Sequence, residues 1–181
     1  MLVPAMTIRR GLMTSLAVFF LAGCTGIGDA HIIMDMMEPV TQPTPPQWQR
    51  MADQVTKRFG AMPVTVEERP NLQSWYVCRE FRILLGAKRP DVRLSLAHEL
   101  GHHIRRDCGQ SVMQELEANA LAVQVLQVWG ETPEEAVRLM VQKLYQARSV
   151  ATVHVFCTEL MDMLHRYPTA ADPRKPGECG V

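Results

Sequence analysis

The sequence has no excess of charge of either sign: 19 basic and 19 acidic residues balance over 181 positions. The basic residues are scattered rather than striped, and there is no acidic tail. Nothing therefore points to a nucleic-acid partner. The five cysteines include no C-x-x-C pair, which weighs against a zinc site built from them. No internal repeat is present. One apolar run near the amino terminus is too short to span a bilayer as an ordinary helix, and no other stretch is a candidate span. What is left, 47% apolar and 21% charged residues, is the composition of an ordinary globular core. The length suits one domain plus extras.

Against this background one stretch stands out, Leu96-Ala97-His98-Glu99-Leu100-Gly101-His102-His103. It contains H-E-x-x-H. On a helix, residues four apart share a face, so His98 and His102 can direct both imidazoles at one metal ion. Glu99 then lies beside them, close to any water on that metal, where a carboxylate can act as general base. Leu94, Leu96, Leu100 and Ile104 supply a buried side to a helix over 92–106. Asp91 is its N-cap. Gly101 lowers helix propensity and leaves room for another element to pack close beside the metal. His103, one step past the second ligand, is expected to face solvent or to support the site from behind.

A catalytic zinc site takes three protein ligands and leaves one position open. The third ligand must be returned to the two histidines by a turn. Ser111 with Gln114 three residues later forms a capping box, which opens a second helix over 112–128. Glu115 falls on its first turn, where a helical hairpin would deliver it. Asn119 shares that face and can hydrogen-bond a ligand histidine, fixing its tautomer. Glu117 points about 200° away and is the second choice as ligand.

The rest of the domain reads as follows. Trp48, Met51, Val55 and Phe59 form an apolar stripe on a helix over 47–59, ended by Gly60. Three short strands follow, at 63–67, 74–78 and 81–85. Thr132 and Pro133 open a third helix to about Tyr145, and a last helix covers 149–165. The expected fold class is α+β, compact and mostly helical with a small sheet.

The amino terminus reads as an address. Arg9 and Arg10 precede an apolar run that ends in Leu21-Ala22-Gly23-Cys24. This resembles the lipobox of bacterial lipoproteins, which are cleaved before the cysteine and lipidated on its sulfur. Acyl chains on Cys24 would attach the mature chain to a membrane. By the same resemblance Thr25 favours the outer membrane of a Gram-negative host, with the domain facing the periplasm. The expected organisation is a signal peptide at 1–23, a Pro- and Gly-containing tether at 24–46, the metal domain at 47–168 and a tail at 169–181. His31, Met34, Met36 and Met37 in the tether read as a segment that packs on the domain rather than as copper ligands. Export leaves four cysteines in an oxidising compartment, hence two disulfides in one of three pairings. The favoured pairing is Cys78–Cys108, joining a strand to the end of the metal helix, with Cys157–Cys179, pinning the tail to the last helix.

The stretches 96–102, 115–119 and 130–136 together resemble the HtpX-like and CAAX-protease-like zinc metallopeptidases, the gluzincins. The short gap between His102 and Glu115 also resembles ImmA/IrrE-like metallopeptidases. The first resemblance implies a zincin domain with one Zn²⁺ held by His98, His102 and Glu115. It implies an envelope endopeptidase whose substrate is an unfolded or extended protein. It also implies that His165 and Arg174 border the site and steady the oxyanion, with Tyr167 as the alternative donor. The rival expectation is a non-catalytic zinc lipoprotein, a binding or structural module. Its fourth ligand would come from His103, Cys108 or His165.

Overall fold

In the computed structural model of the chain, residues 44–69, 73–86, 91–109, 111–147, 153–168 and 179 are described. Cys24, the signal and tether segments to residue 43, their His–Met cluster and Arg174 lie outside them. The described part is α+β, with five helices and one three-stranded sheet. In chain order the elements are α1 (Pro46–Phe59), β1 (Thr65–Arg69), β2 (Trp75–Val77), β3 (Arg82–Gly86), α2 (Val92–Arg105), α3 (Val112–Val128), α4 (Pro133–Ala147) and α5 (Val153–Arg166).

The sheet order is β1-β3-β2, with β1 parallel and β2 antiparallel to β3. Central β3 carries Ile83, Leu84 and Leu85 in succession, all buried. That is the continuous apolar run of a strand covered on both faces. The outer edge of β1 is closed by polar side chains. Gln49 of α1 donates to the Val64 carbonyl at 2.8 Å and accepts from the Val66 N–H at 2.9 Å, and Thr44 Oγ1 accepts from Glu68 N–H at 2.8 Å. Such cover blunts an edge that would otherwise pair with another chain. The other edge strand, β2, lies beside the cleft described below. The strands sit one or two residues later than the residue pattern suggests at β1 and β3. Register decides this: Thr65 pairs with Arg82, and the ladder runs on to Arg69 opposite Gly86.

The helix boundaries follow the local signals. Asp91 accepts from Leu94 N–H at 3.1 Å and caps α2. The Ser111–Gln114 capping box is formed in both directions, at 3.3 and 2.9 Å. Gly60 closes α1 with φ of 62°, a left-handed conformation that favours glycine. α2 ends at Arg106, itself left-handed with φ of 59°. The favoured disulfides, Cys78–Cys108 and Cys157–Cys179, are both present, with Cα–Cα distances of 5.3 and 5.4 Å.

α2 is buried from Leu94 through His103, on all sides. It lies between the sheet and α3. α3 in turn packs against α1, α4 and α5 and carries the broad apolar surface that such a position needs. An ideal Cβ placed on Gly101 would lie 2.5 Å from the Ala118 carbonyl oxygen of α3. Only glycine permits this approach of α2 to α3, as the sequence led us to expect.

Candidate metal centre

α2 and α3 form the helical hairpin that brings three donor side chains together. His98 and His102 lie one turn apart on α2, and their Nε2 atoms are 3.2 Å apart. Glu115, on the first turn of α3, places Oε2 at 3.2 Å from His98 Nε2 and Oε1 at 3.5 Å from His102 Nε2. Among the described residues this is the one group of three or more His, Cys, Asp or Glu side chains whose donor atoms converge for a metal ion.

The donor set fits such an ion. Zinc bonds of about 2.0–2.1 Å in a tetrahedron set neighbouring ligand atoms about 3.3 Å apart. The two Nε2 atoms, 3.2 Å apart, match one edge of that tetrahedron, and Glu115 brings one carboxylate oxygen to 3.2 Å from His98 Nε2 and the other to 3.5 Å from His102 Nε2. The far side of each imidazole is also held. Asn119 Oδ1 accepts from His98 Nδ1–H at 2.8 Å, and Asp107 Oδ2 faces His102 Nδ1 at a longer 3.4 Å. An oxygen acceptor on Nδ1 leaves the lone pair on Nε2, the atom that faces the other donors.

Electrostatics agree with the geometry. Burial, with the Lys143 charge in support, pushes His98 down to about 4, so its ring is neutral near pH 7. Burial would lower His102 too, but Glu115, Glu99 and Asp107 together raise it above the usual histidine value. Glu115 is held well below the usual carboxylate range. Burial opposes this, and the contacts with His102 and His98 outweigh it. Glu99 is raised by burial to about 7, partly offset by His102, Lys143 and a hydrogen bond from the Tyr76 backbone N–H. A carboxylate poised near neutrality suits proton transfer.

Glu99 lines the same cleft as the three donors, together with Trp75 and Tyr76 of β2 and Asp107. Asp107 gave no signal in the sequence. It reaches His102 because the left-handed Arg106 turns the chain back, and Asp107 N–H bonds the His102 carbonyl at 3.0 Å. The Cys78–Cys108 disulfide ties this turn to the end of β2.

Other residues fall elsewhere. Glu117, the second choice as ligand, points outward and pairs with Arg166 at 2.8 Å and Arg105 at 3.7 Å. His103 does not face solvent: it is 1% exposed. Its Nε2–H donates to the Met62 carbonyl at 2.7 Å, and Tyr76 O–H donates to its Nδ1 at 3.1 Å. One residue past His102 is a 100° turn of the helix, and on α2 that turn leads to the sheet rather than to water. His165 is exposed on the last turn of α5 and does not line the cleft. Tyr167 packs, half-buried, against the core. Of the three residues considered as a fourth ligand, Cys108 is bonded to Cys78 and His103 is committed to Tyr76 and Met62. No described helix is long and apolar enough to cross a membrane. Compared with family models, with curated proteins and with solved structures, the chain matches none.

Proposed function

We propose that the chain is a zinc-dependent endopeptidase of the bacterial cell envelope, a gluzincin-like relative of the HtpX-like and CAAX-protease-like enzymes, attached to the membrane through lipidated Cys24. The observation that carries this reading is the placement of Glu99 in one cleft with His98, His102 and Glu115. The three donors would hold the ion, and Glu99 is not needed to hold it. It is left to move a proton.

Zinc held there would supply Lewis acidity, polarising a peptide carbonyl and making water a stronger acid. The remaining work belongs to the chain. Glu99 takes a proton from the attacking water and returns it to the departing amine nitrogen. Its buried position, with a carboxyl at about 7, lets it do both near neutral pH. The Tyr76 N–H favours the charged carboxylate, against the effect of burial. β2 presents Trp75 and Tyr76 along the cleft, and an extended segment laid beside an edge strand is a common mode of peptide recognition. Unfolded protein substrates meet that requirement.

The test is metal content with a protease assay on an unfolded model protein. The unmodified chain should carry about one zinc and cleave, and a chelator should stop cleavage. Glu99→Gln should bind zinc as well as the unmodified chain and cleave nothing. Cleavage retained by Glu99→Gln would sink the mechanism. An inactive chain that still binds zinc would favour the binding-module reading.

A further inference from the structure

Behind His98 the hydrogen-bonded chain goes one residue further than the site requires. Asn119 Oδ1 accepts from His98 Nδ1–H at 2.8 Å, and Asn119 Nδ2–H donates to Glu159 Oε2 at 3.2 Å. Asn119 is 1% exposed and sits on α3, whereas Glu159 comes from α5, forty residues later. An asparagine amide has two ends of nearly equal size and opposite polarity, so its partners alone decide which end points where.

The orientation matters to the metal. With the oxygen toward His98, Nδ1 carries the ring proton and Nε2 keeps its lone pair. With the amide turned over, the NH₂ would face Nδ1, which must then accept. The ring proton would move to Nε2, between His102 and Glu115, where a metal ligand must have none. A carboxylate only accepts, so Glu159 can bond the NH₂ end and not the oxygen end.

We infer that Glu159 is a positioning residue for the metal centre: it selects the Asn119 orientation that leaves His98 Nε2 free to bind metal. The inference rests on the zinc reading above. It assigns to α5 a role in metal binding that neither its distance in sequence nor contact with the ion would suggest. Loss of a partner behind a ligand histidine lowers metal affinity roughly 10–100-fold, and Glu159 should belong to this class although it acts through Asn119.

The experiment is zinc titration of the full chain against a competing chelator, with thermal stability of each metal-free variant measured alongside. Glu159→Met removes the acceptor at similar size and should weaken zinc at least about tenfold. Glu159→Gln can offer Asn119 either end of its own amide, so it no longer excludes the wrong orientation and should weaken zinc, though less than Glu159→Met does. Asn119→Asp added to Glu159→Met is decisive. Aspartate has no wrong end and needs nothing to orient it, so the double variant should regain the affinity that Glu159→Met lost. A purely structural role for Glu159 would not be rescued this way. Unchanged affinity in Glu159→Met, or no recovery in the double variant, would overturn the inference. If Glu159→Met does not fold, Glu159→Gln carries the test: zinc should weaken, Asn119→Asp added to it should restore what was lost, and affinity unchanged in Glu159→Gln would overturn the inference. An unmodified chain that takes up no zinc would refute the metal reading itself and this inference with it, whereas zinc binding insensitive to position 159 refutes the positioning role alone.

Discussion

Replacing Gly101 by alanine adds one carbon at the closest point between α2 and α3. That carbon would lie 2.5 Å from the Ala118 carbonyl oxygen, 3.0 Å from its Cα and 3.1 Å from its carbonyl carbon. Ordinary contact begins at 3.4 Å, so the helices must part by nearly an ångström, and no flexible side chain is there to give way. Stability has two opposing contributions. Alanine gains about 1 kcal/mol of helix propensity over glycine, and overpacking costs about 1–3 kcal/mol. The melting temperature should therefore move by only a few degrees, downward. The metal centre has no such compensation. Ala118 lies between Glu115 and Asn119 on one rigid helix, so a shift of α3 carries both away from α2 together. Metal ligands tolerate about 0.2 Å. Displacing a ligand and the residue behind another ligand should weaken zinc about 100-fold, or roughly 2.8 kcal/mol. The assay is chelator competition on the folded variant, with its unfolding followed separately. Zinc affinity equal to that of the unmodified chain would show that the hairpin spacing does not set the site.

The other predictions are more local. Glu115→Ala should abolish zinc binding, while Glu117→Ala should leave it intact and change stability by less than about 1 kcal/mol, since it loses only surface ion pairs with Arg166 and Arg105; metal analysis of the two purified variants separates them, and the reverse result would exchange the ligands. Replacing Cys78 and Cys108 by serine removes a link across 30 residues and should cost about 2–4 kcal/mol by chemical unfolding. The same variant should bind zinc more weakly, because Asp107, beside Cys108, then loses its anchor behind His102. His103→Leu should destabilise the fold by about 1–3 kcal/mol, as the Tyr76 phenol loses its buried partner; a urea curve superimposable on that of the unmodified chain would contradict the bracing role.

Where the sequence was readable, the cause was local. The capping residues Asp91 and Ser111, the Gly60 terminator and the four-residue spacing of His98 and His102 act within one turn of chain, so they fix helix ends and a ligand pair before any tertiary contact forms. Glu115 was readable because it follows a short turn, and Gly101 because a glycine amid good helix formers needs a packing reason. The residues that escaped notice act across distance or through backbone shape. Asp107 approaches His102 only because Arg106 adopts a left-handed conformation that arginine does not advertise. Glu159 meets Asn119 only through the packing of α5 on α3. The burial of His103 could not be read from helix period alone, because α2 is covered on all sides from Leu94 through His103.

That last point bears on how the site is held. In an amphipathic helix one face does the packing and the other meets water. α2 has the site on one face and the sheet on another, and its polar residues on both are buried. Buried polar groups are tolerated only when paired. Four of them take partners from outside α2: Asn119 of α3 for His98, Asp107 of the following turn for His102, Tyr76 of β2 for both Glu99 and His103. Tyr76 serves two of them, with its N–H toward Glu99 and its phenol on His103. A small movement of β2 therefore cannot be confined to the sheet; it changes the carboxylate proposed as the proton carrier. The same strand lines the cleft and is joined by Cys78 to the Asp107 turn. A peptide bound along β2, as proposed, would press on a strand already tied to the proposed proton carrier and, through the disulfide, to the residue behind His102. Position and reactivity of the centre would then be linked through β2, although no residue of that strand is among the three candidate metal donors.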